Sequence, residues 1–217
     1  MTLLDFARGP AMQWSLAILV FGVLWRLLGV VLIMGKKDLS KPRRNRMIVD
    51  GLATVATRSL PVHQFEKRIR FQHLSGYVWH IALFIAVLFS APHIIFFESL
   101  LGIGWPHLPN SIILFFATIA MAVLIALLVR RTGHPVQRSI SNADDYVSVV
   151  VVIIALVTGI LATSHFGARY ETLLAIHLLS VEALFIWFPF GKLMHTVFIF
   201  PARFQAGAAF GRKGVRA

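Results

Sequence analysis

Apolar residues in this chain come in long, nearly unbroken runs, with polar residues gathered between them. Five runs stand out, at about 12–34, 74–97, 109–129, 145–164 and 170–200. A helix needs about 20 mostly apolar residues to cross a bilayer, so each run is a candidate span, and the last would project beyond the lipid. Hydrocarbon offers no partner to an open backbone N–H or C=O, which makes runs of this kind helical. The pattern predicts an all-α integral membrane bundle of five transmembrane helices, forming one domain over residues 1–217. The segment from Met1 to Ala11 leads into an apolar stretch too long for a cleavable signal, so the first span is expected to be retained.

The polar stretches differ sharply in charge. Of the 21 lysines and arginines, 17 fall in the first connection (35–73), the third connection and the C-terminal tail. The opposite side carries only Arg8 and Arg169, while Arg26 and Lys192 lie inside runs. Basic loops remain cytoplasmic, which predicts an outer N-terminus and a cytoplasmic C-terminus. The same asymmetry accounts for the net charge of +12 without nucleic acid as a partner. In the first connection, Met47, Ile48, Leu52, Val55 and Ala56 stand near helical spacing, as in a short helix that lies on the membrane or docks a cytoplasmic partner. The expected location is the cytoplasmic membrane of a prokaryote, crossed several times.

The chain has no cysteine. It can build neither a disulfide nor an iron–sulfur cluster or thiolate zinc site of its own, so a redox centre here would be organic or would rest on histidine or carboxylate. Nine histidines are present, and four sit well inside runs: His80 and His93 in the second, His177 and His195 in the fifth. Ionisable groups within a membrane are costly and usually functional, and histidine is a common axial ligand of haem iron. The second and fifth helices run in opposite directions. His80 and His195 therefore share the cytoplasmic side, and His93 and His177 the outer side. On a continuous helix, His177 and His195 would be about 27 Å apart on one face. The 13 residues from His80 to His93 put these two on different faces of an ideal helix, unless Pro92 bends or rewinds it.

The segment Tyr170-Glu-Thr-Leu-Leu-Ala-Ile-His177, continued through Phe188-Pro-Phe-Gly-Lys-Leu-Met-His195, resembles the fifth helix of the respiratory nitrate reductase gamma subunit family. The spacing from His80 to His93 looks like the branch of that family found in sulfur-metabolism and heterodisulfide-reductase-like complexes, of the DsrM and TmcC type. In the nitrate reductase branch the second ligand would fall near Ser90. Asn142-Ala-Asp-Asp-Tyr146 and the basic tail after Phe204 are also similar. The resemblance implies a cytochrome b subunit with two haems b, one held by His80 and His195, the other by His93 and His177. It further implies electron exchange between the membrane quinone pool, with menaquinone the expected species, and a cytoplasmic iron–sulfur subunit of the same complex. The chain would then be an electron-transfer subunit of an oxidoreductase.

Other residues have two readings each. Arg26 either snorkels to the interface or pairs with a haem propionate. Glu182 is either a satisfied core carboxyl or a proton acceptor beside a quinol. Trp105 and His107, in the outer connection, either belong to an interfacial aromatic belt or line a quinone site with Glu182. His73 is the alternative ligand to His80. Gly76 and Gly191 would let a porphyrin approach the backbone, though glycine is also common at helix contacts. Two rival functions remain: a histidine-lined ion or proton transporter, disfavoured by the few carboxylates and the lack of internal repeats, and a non-redox membrane anchor, which would not need histidines paired by depth.

Overall fold

The structure, a computed structural model, describes residues 1–33, 39–60 and 66–215. Lys36, Lys37, His63 and Arg216 lie outside the described residues. Among the described residues all regular elements are helical: α1 (Leu3–Phe6), a π turn (Ala7–Ala11), α2 (Met12–Ile33), α3 (Met47–Thr57), α4 (Glu66–Phe89), α5 (Ala91–Leu101), α6 (Asn110–Gly133), α7 (Pro135–Ser139), α8 (Ala143–Ser164), α9 (Tyr170–Trp187), a 3-10 turn (Lys192–Met194) and α10 (His195–Arg212). Five stretches are long and apolar enough to cross a membrane: Leu3–Ile33, Ile69–Phe89, Asn110–Gly133, Ala143–Ser164 and Tyr170–Trp187. The chain is an all-α, multi-pass membrane protein. The large side chains left exposed agree with this. Trp14, Phe21, Leu24, Trp25, Leu28, Val31 and Leu32 of α2 all face outward, an arrangement unfavourable in water and ordinary against lipid.

The first span begins earlier than the apolar run suggests. Thr2 caps α1 and forms a reciprocal capping box with Asp5. Pro10 lies within the π turn, whose wider hydrogen-bond spacing accommodates a residue without an N–H.

Two of the expected long helices are interrupted. The second run does not continue to Phe97: α4 stops at Phe89, Ser90 is extended, and α5 starts anew with Pro92 in its first turn. Proline has no N–H, and its ring would collide with the carbonyl of Leu88 in a continuous helix. The fifth run does not continue to Phe200 either. α9 ends at Trp187, and the chain turns through Phe188, Pro189, Phe190 and Gly191 before the 3-10 turn and α10. His177 and His195 are therefore on separate helices, and the shared face and 27 Å separation expected of a single helix do not hold.

Contacts divide the chain into two compact units, residues 1–19 with 71–188 and residues 20–70 with 189–217. In the first, α6 packs on α8, and α8 on α9. The buried stripe of α6 is Ile113, Ala117, Ala120 and Leu124, and that of α8 includes Ser148, Val152, Leu156 and Ala162. Small residues in such stripes bring helix backbones close where no hydrophobic effect drives association. Arg131 pairs with Asp145 at 2.8 Å, tying the end of α6 to the start of α8, which Asn142 caps through a capping box with Asp145. The segment formed by α1 and the π turn lies on α9.

In the second unit, the short helix expected in the first cytoplasmic connection is α3, and it packs along α10. The contact is close because glycine stands at each crossing. A Cβ on Gly51 would lie 2.6 Å from the Phe204 ring, and one on Gly207 or Gly211 would overlap Thr54 or Asp50. The Arg43 amide donates to the Arg212 carbonyl at 2.9 Å, and Arg203 donates to Ser59 Oγ at 3.1 Å. Pro189 is fully buried and sits where a side chain on Gly22 of α2 would have to be.

Candidate functional site

His93 is held by the break that ends α4. The carbonyls of Val87, Leu88 and Phe89 lose their continuing helix at Ser90. Each finds a new donor: His93 Nδ1 reaches Val87 O at 2.9 Å, Trp105 Nε1 reaches Leu88 O at 2.6 Å, and the Leu108 amide reaches Phe89 O at 3.0 Å. Since a carbonyl only accepts, Nδ1 of His93 carries the proton. The chain thus leaves α4, forms α5 and returns to the same helix end before α6 begins. His93 lies on this excursion rather than inside the second span.

His177 lies on α9 and is oriented from α8. Its Nδ1 is 3.1 Å from Thr158 Oγ1. Thr158 has one hydroxyl proton, and three other atoms compete for it: Ile154 O at 2.9 Å, Ala155 O at 3.1 Å and Ser180 Oγ at 2.8 Å. Ser180 donates its own proton to the His177 carbonyl at 2.7 Å. With the Thr158 proton on a backbone carbonyl or on Ser180, His177 Nδ1–H is the donor to Thr158 Oγ1. Both rings then keep Nε2 as the nitrogen able to ligate, and the bond through Nδ1 fixes their tautomer. Gly159 completes the seat, since a Cβ there would lie 3.0 Å from His177 Cε1.

The two ring centroids are 6.1 Å apart, with planes inclined by 29°. A metal–imidazole bond is about 2 Å and the nitrogen lies roughly 1.2 Å from its ring centre, so trans imidazoles on one metal have centroids roughly 6 Å apart. Two imidazoles joined by a direct hydrogen bond would be about 1 Å closer. The observed separation fits the first case.

His80 and His195 belong to different units. Within its own, His80 lies on α4, with Nδ1 2.6 Å from Gly76 O and its ring 3.7 Å from that of Trp79. Nothing stands within 4 Å of a Cβ built on Gly76. His195 opens α10, exposed, with Nδ1 2.7 Å from Lys192 O. It was expected deep in a helix and instead follows a turn. His73 lies seven residues before His80 on nearly the same face of α4, its ring 5.0 Å from that of Tyr77. Arg26 is an exposed residue of α2.

The three quinone-site candidates are not equivalent. Trp105 holds the Leu88 carbonyl and stacks on Phe97 at 5.7 Å between centroids, which makes it a clamp for the α4–α5 break. His107 is exposed, with Nδ1 3.3 Å from the Leu108 carbonyl. Glu182 is only 4% exposed, and its Oε1 has no hydrogen-bond partner among the described residues. The reading of Glu182 as a satisfied core carboxyl is therefore not met. Thr158, Gly159 and Ser180 were not anticipated. The signal for them was a hydroxyl and a glycine inside the otherwise apolar Val149–Leu161 run, and a serine three residues after His177.

No family model matches the chain, and no solved structure matches it. A curated protein of Nitratidesulfovibrio vulgaris (strain Hildenborough) is 27% identical over 214 residues, covering 96% of this chain and 93% of its own. The similarity runs nearly end to end in both, so the relative is compatible with the same five-span layout. Its name states no activity.

Proposed function

We propose that this protein is a membrane dihaem cytochrome b subunit of a respiratory redox complex, related to the nitrate reductase gamma subunit family through its sulfur-metabolism branch. It would exchange electrons between the quinone pool and a cytoplasmic iron–sulfur subunit. The observation that carries this reading is the His93–His177 pair, two imidazoles from separate helices at 6.1 Å, each anchored through Nδ1. Among the described residues no three metal-binding side chains come together, so a metal held by protein alone would lack donors. An iron already held by four porphyrin nitrogens needs only two axial imidazoles, and that is what this pair offers.

A haem b bound there supplies one-electron chemistry, while the protein supplies ligands, orientation and surroundings. His93 and His177 would hold its iron. Val87, Thr158 and Ser180 would orient the two rings, and Gly159 leaves room for the His177 ring. His80 and His195 are assigned to the second haem b. Each carries the same kind of orienting bond through Nδ1 to a carbonyl, and the open space beside Gly76 suits a flat macrocycle. Arg26 is assigned to a propionate. The partner reading is supported by Lys41, Arg43, Arg44, Arg46, Arg58 and Lys213, all exposed in the unit that holds α3 and α10, a surface suited to an acidic face.

The test is a pyridine haemochrome assay on the purified protein, which should give two haems b per chain. H93A and H177A should each remove one haem, with the same spectral component lost in both. H80A and H195A should remove the other. A correctly assembled preparation without haem b sinks the proposal.

A further inference from the structure

We propose that Glu182 takes up a proton when the centre held by His93 and His177 gains an electron, so that electron entry at this site is coupled to proton uptake within the membrane. This rests on the dihaem reading. Glu182 lies on α9, 12 residues and about 18 Å from its start at Tyr170, among apolar surroundings. The helices α8 and α9 are antiparallel, with Thr158 meeting His177 and Ser148 meeting Trp187. That register sets Ile153 of α8 at the level of Glu182, but Glu182 stands about 140° around α9 from His177 and so turns away from α8. The charged residues of α8 lie at its far end, where Asp144 accepts from Ser148 and Asp145 pairs with Arg131. The segment on the other flank of α9 carries Asp5, which is bonded to Thr2, and Arg8. On α9 and α5, the remaining titratable neighbours are His177 and His93. None of these groups is a hydrogen-bond partner of Glu182 Oε1.

A buried carboxylate with no partner is costly in any fold. Such a group stays protonated unless a positive charge nearby offsets the carboxylate. Ferric haem iron carries one net positive charge beyond its porphyrin, and ferrous iron carries none. Five residues along α9 set the Cα atoms of Glu182 and His177 about 9 Å apart and turn their side chains about 140° from each other, so an iron held beyond the His177 ring would be roughly 15 Å from the carboxyl. At an effective dielectric of about 20, loss of one unit charge at that distance raises the proton affinity of the carboxyl about sixfold. The step balances: a quinol loses one electron and one proton to become the semiquinone, the electron would pass to the haem iron, and the proton would pass to the Glu182 carboxylate, which becomes the acid. The net charge of the buried site is unchanged, which is what a low-dielectric site favours.

The experiment is a spectroscopic redox titration of the haem-loaded protein across a series of pH values. The potential of the component lost in H93A should fall as pH rises, by about 45 mV between its acid and alkaline limits, since a tenfold change corresponds to about 59 mV for one electron. E182Q should keep that haem and lose the fall, while E182D should keep part of it. A reduced-minus-oxidised infrared spectrum of the wild type should contain a protonated-carboxyl band that E182Q lacks. A potential independent of pH, or an unchanged fall in E182Q, overturns the assignment of Glu182 alone. Absence of haem overturns the dihaem reading and this inference with it.

Discussion

Among single residues, Thr158 has the most specific role. Its hydroxyl accepts from His177 Nδ1 and is itself held by two carbonyls of its own helix and by Ser180. Groups that orient a metal-ligating histidine typically change metal affinity 10–100-fold when removed. Thr158→Val should therefore lower the occupancy of the haem proposed at His93 and His177, seen as haem per chain at limiting haem supply, and Thr158→Ser should restore it. Full occupancy with an unaltered spectrum in T158V would show that the ring is held by other means. Gly159→Ala should act in the same direction, because its methyl would press on His177 Cε1 at 3.0 Å. The histidines themselves were legible, because an ionisable side chain in an apolar run stands out. Thr158 was not, because a threonine in a membrane helix usually bonds its own backbone, and only the packing of α9 on α8 gives it a second partner.

At the level of elements, the two interruptions matter most. The angular conflict between His80 and His93 disappears because α4 and α5 are different helices, with Pro92 at the start of the second. Pro92 was visible in the sequence as a possible bend, but the return of the chain through Trp105 and Leu108 was not. That return depends on carbonyls exposed only once the helix has broken. Trp105→Phe should leave the Leu88 carbonyl without its donor, at a cost of about 1–3 kcal/mol if it stays dry, and should lower the thermal unfolding midpoint in detergent. If Trp105 instead forms a wall of a quinone site, the same variant would alter quinol KM and leave the unfolding midpoint in place. In the fifth run the Phe188-Pro189-Phe190-Gly191 turn interrupts what hydropathy alone presents as one helix. Its proline lies in a buried seat against Gly22, a contact between segments 167 residues apart that periodicity cannot report.

For the whole molecule, the balance of lipid and water determines most of what is seen. Long apolar runs had to become helices, because the membrane leaves backbone groups no other partner. The first connection and the C-terminal tail meet in the packing of α3 on α10. There the glycines at 51, 207 and 211 allow helix contact that any side chain would block. Gly211→Leu should overpack this contact by about 1–3 kcal/mol and release α3, which limited trypsin digestion would report as faster cleavage at Arg43, Arg46 and Arg58. Unchanged digestion would mean that α3 is held elsewhere. The sequence by itself determined the all-α class, the five spans, the charge asymmetry and the four histidines, because hydropathy and charge are local properties read one residue at a time. Only the tertiary structure decided where the helices break, that His93 and His177 meet at 6.1 Å, and that Glu182 is buried without a partner. Each of these depends on which helix lies beside which, and therefore on contacts between residues far apart in the chain.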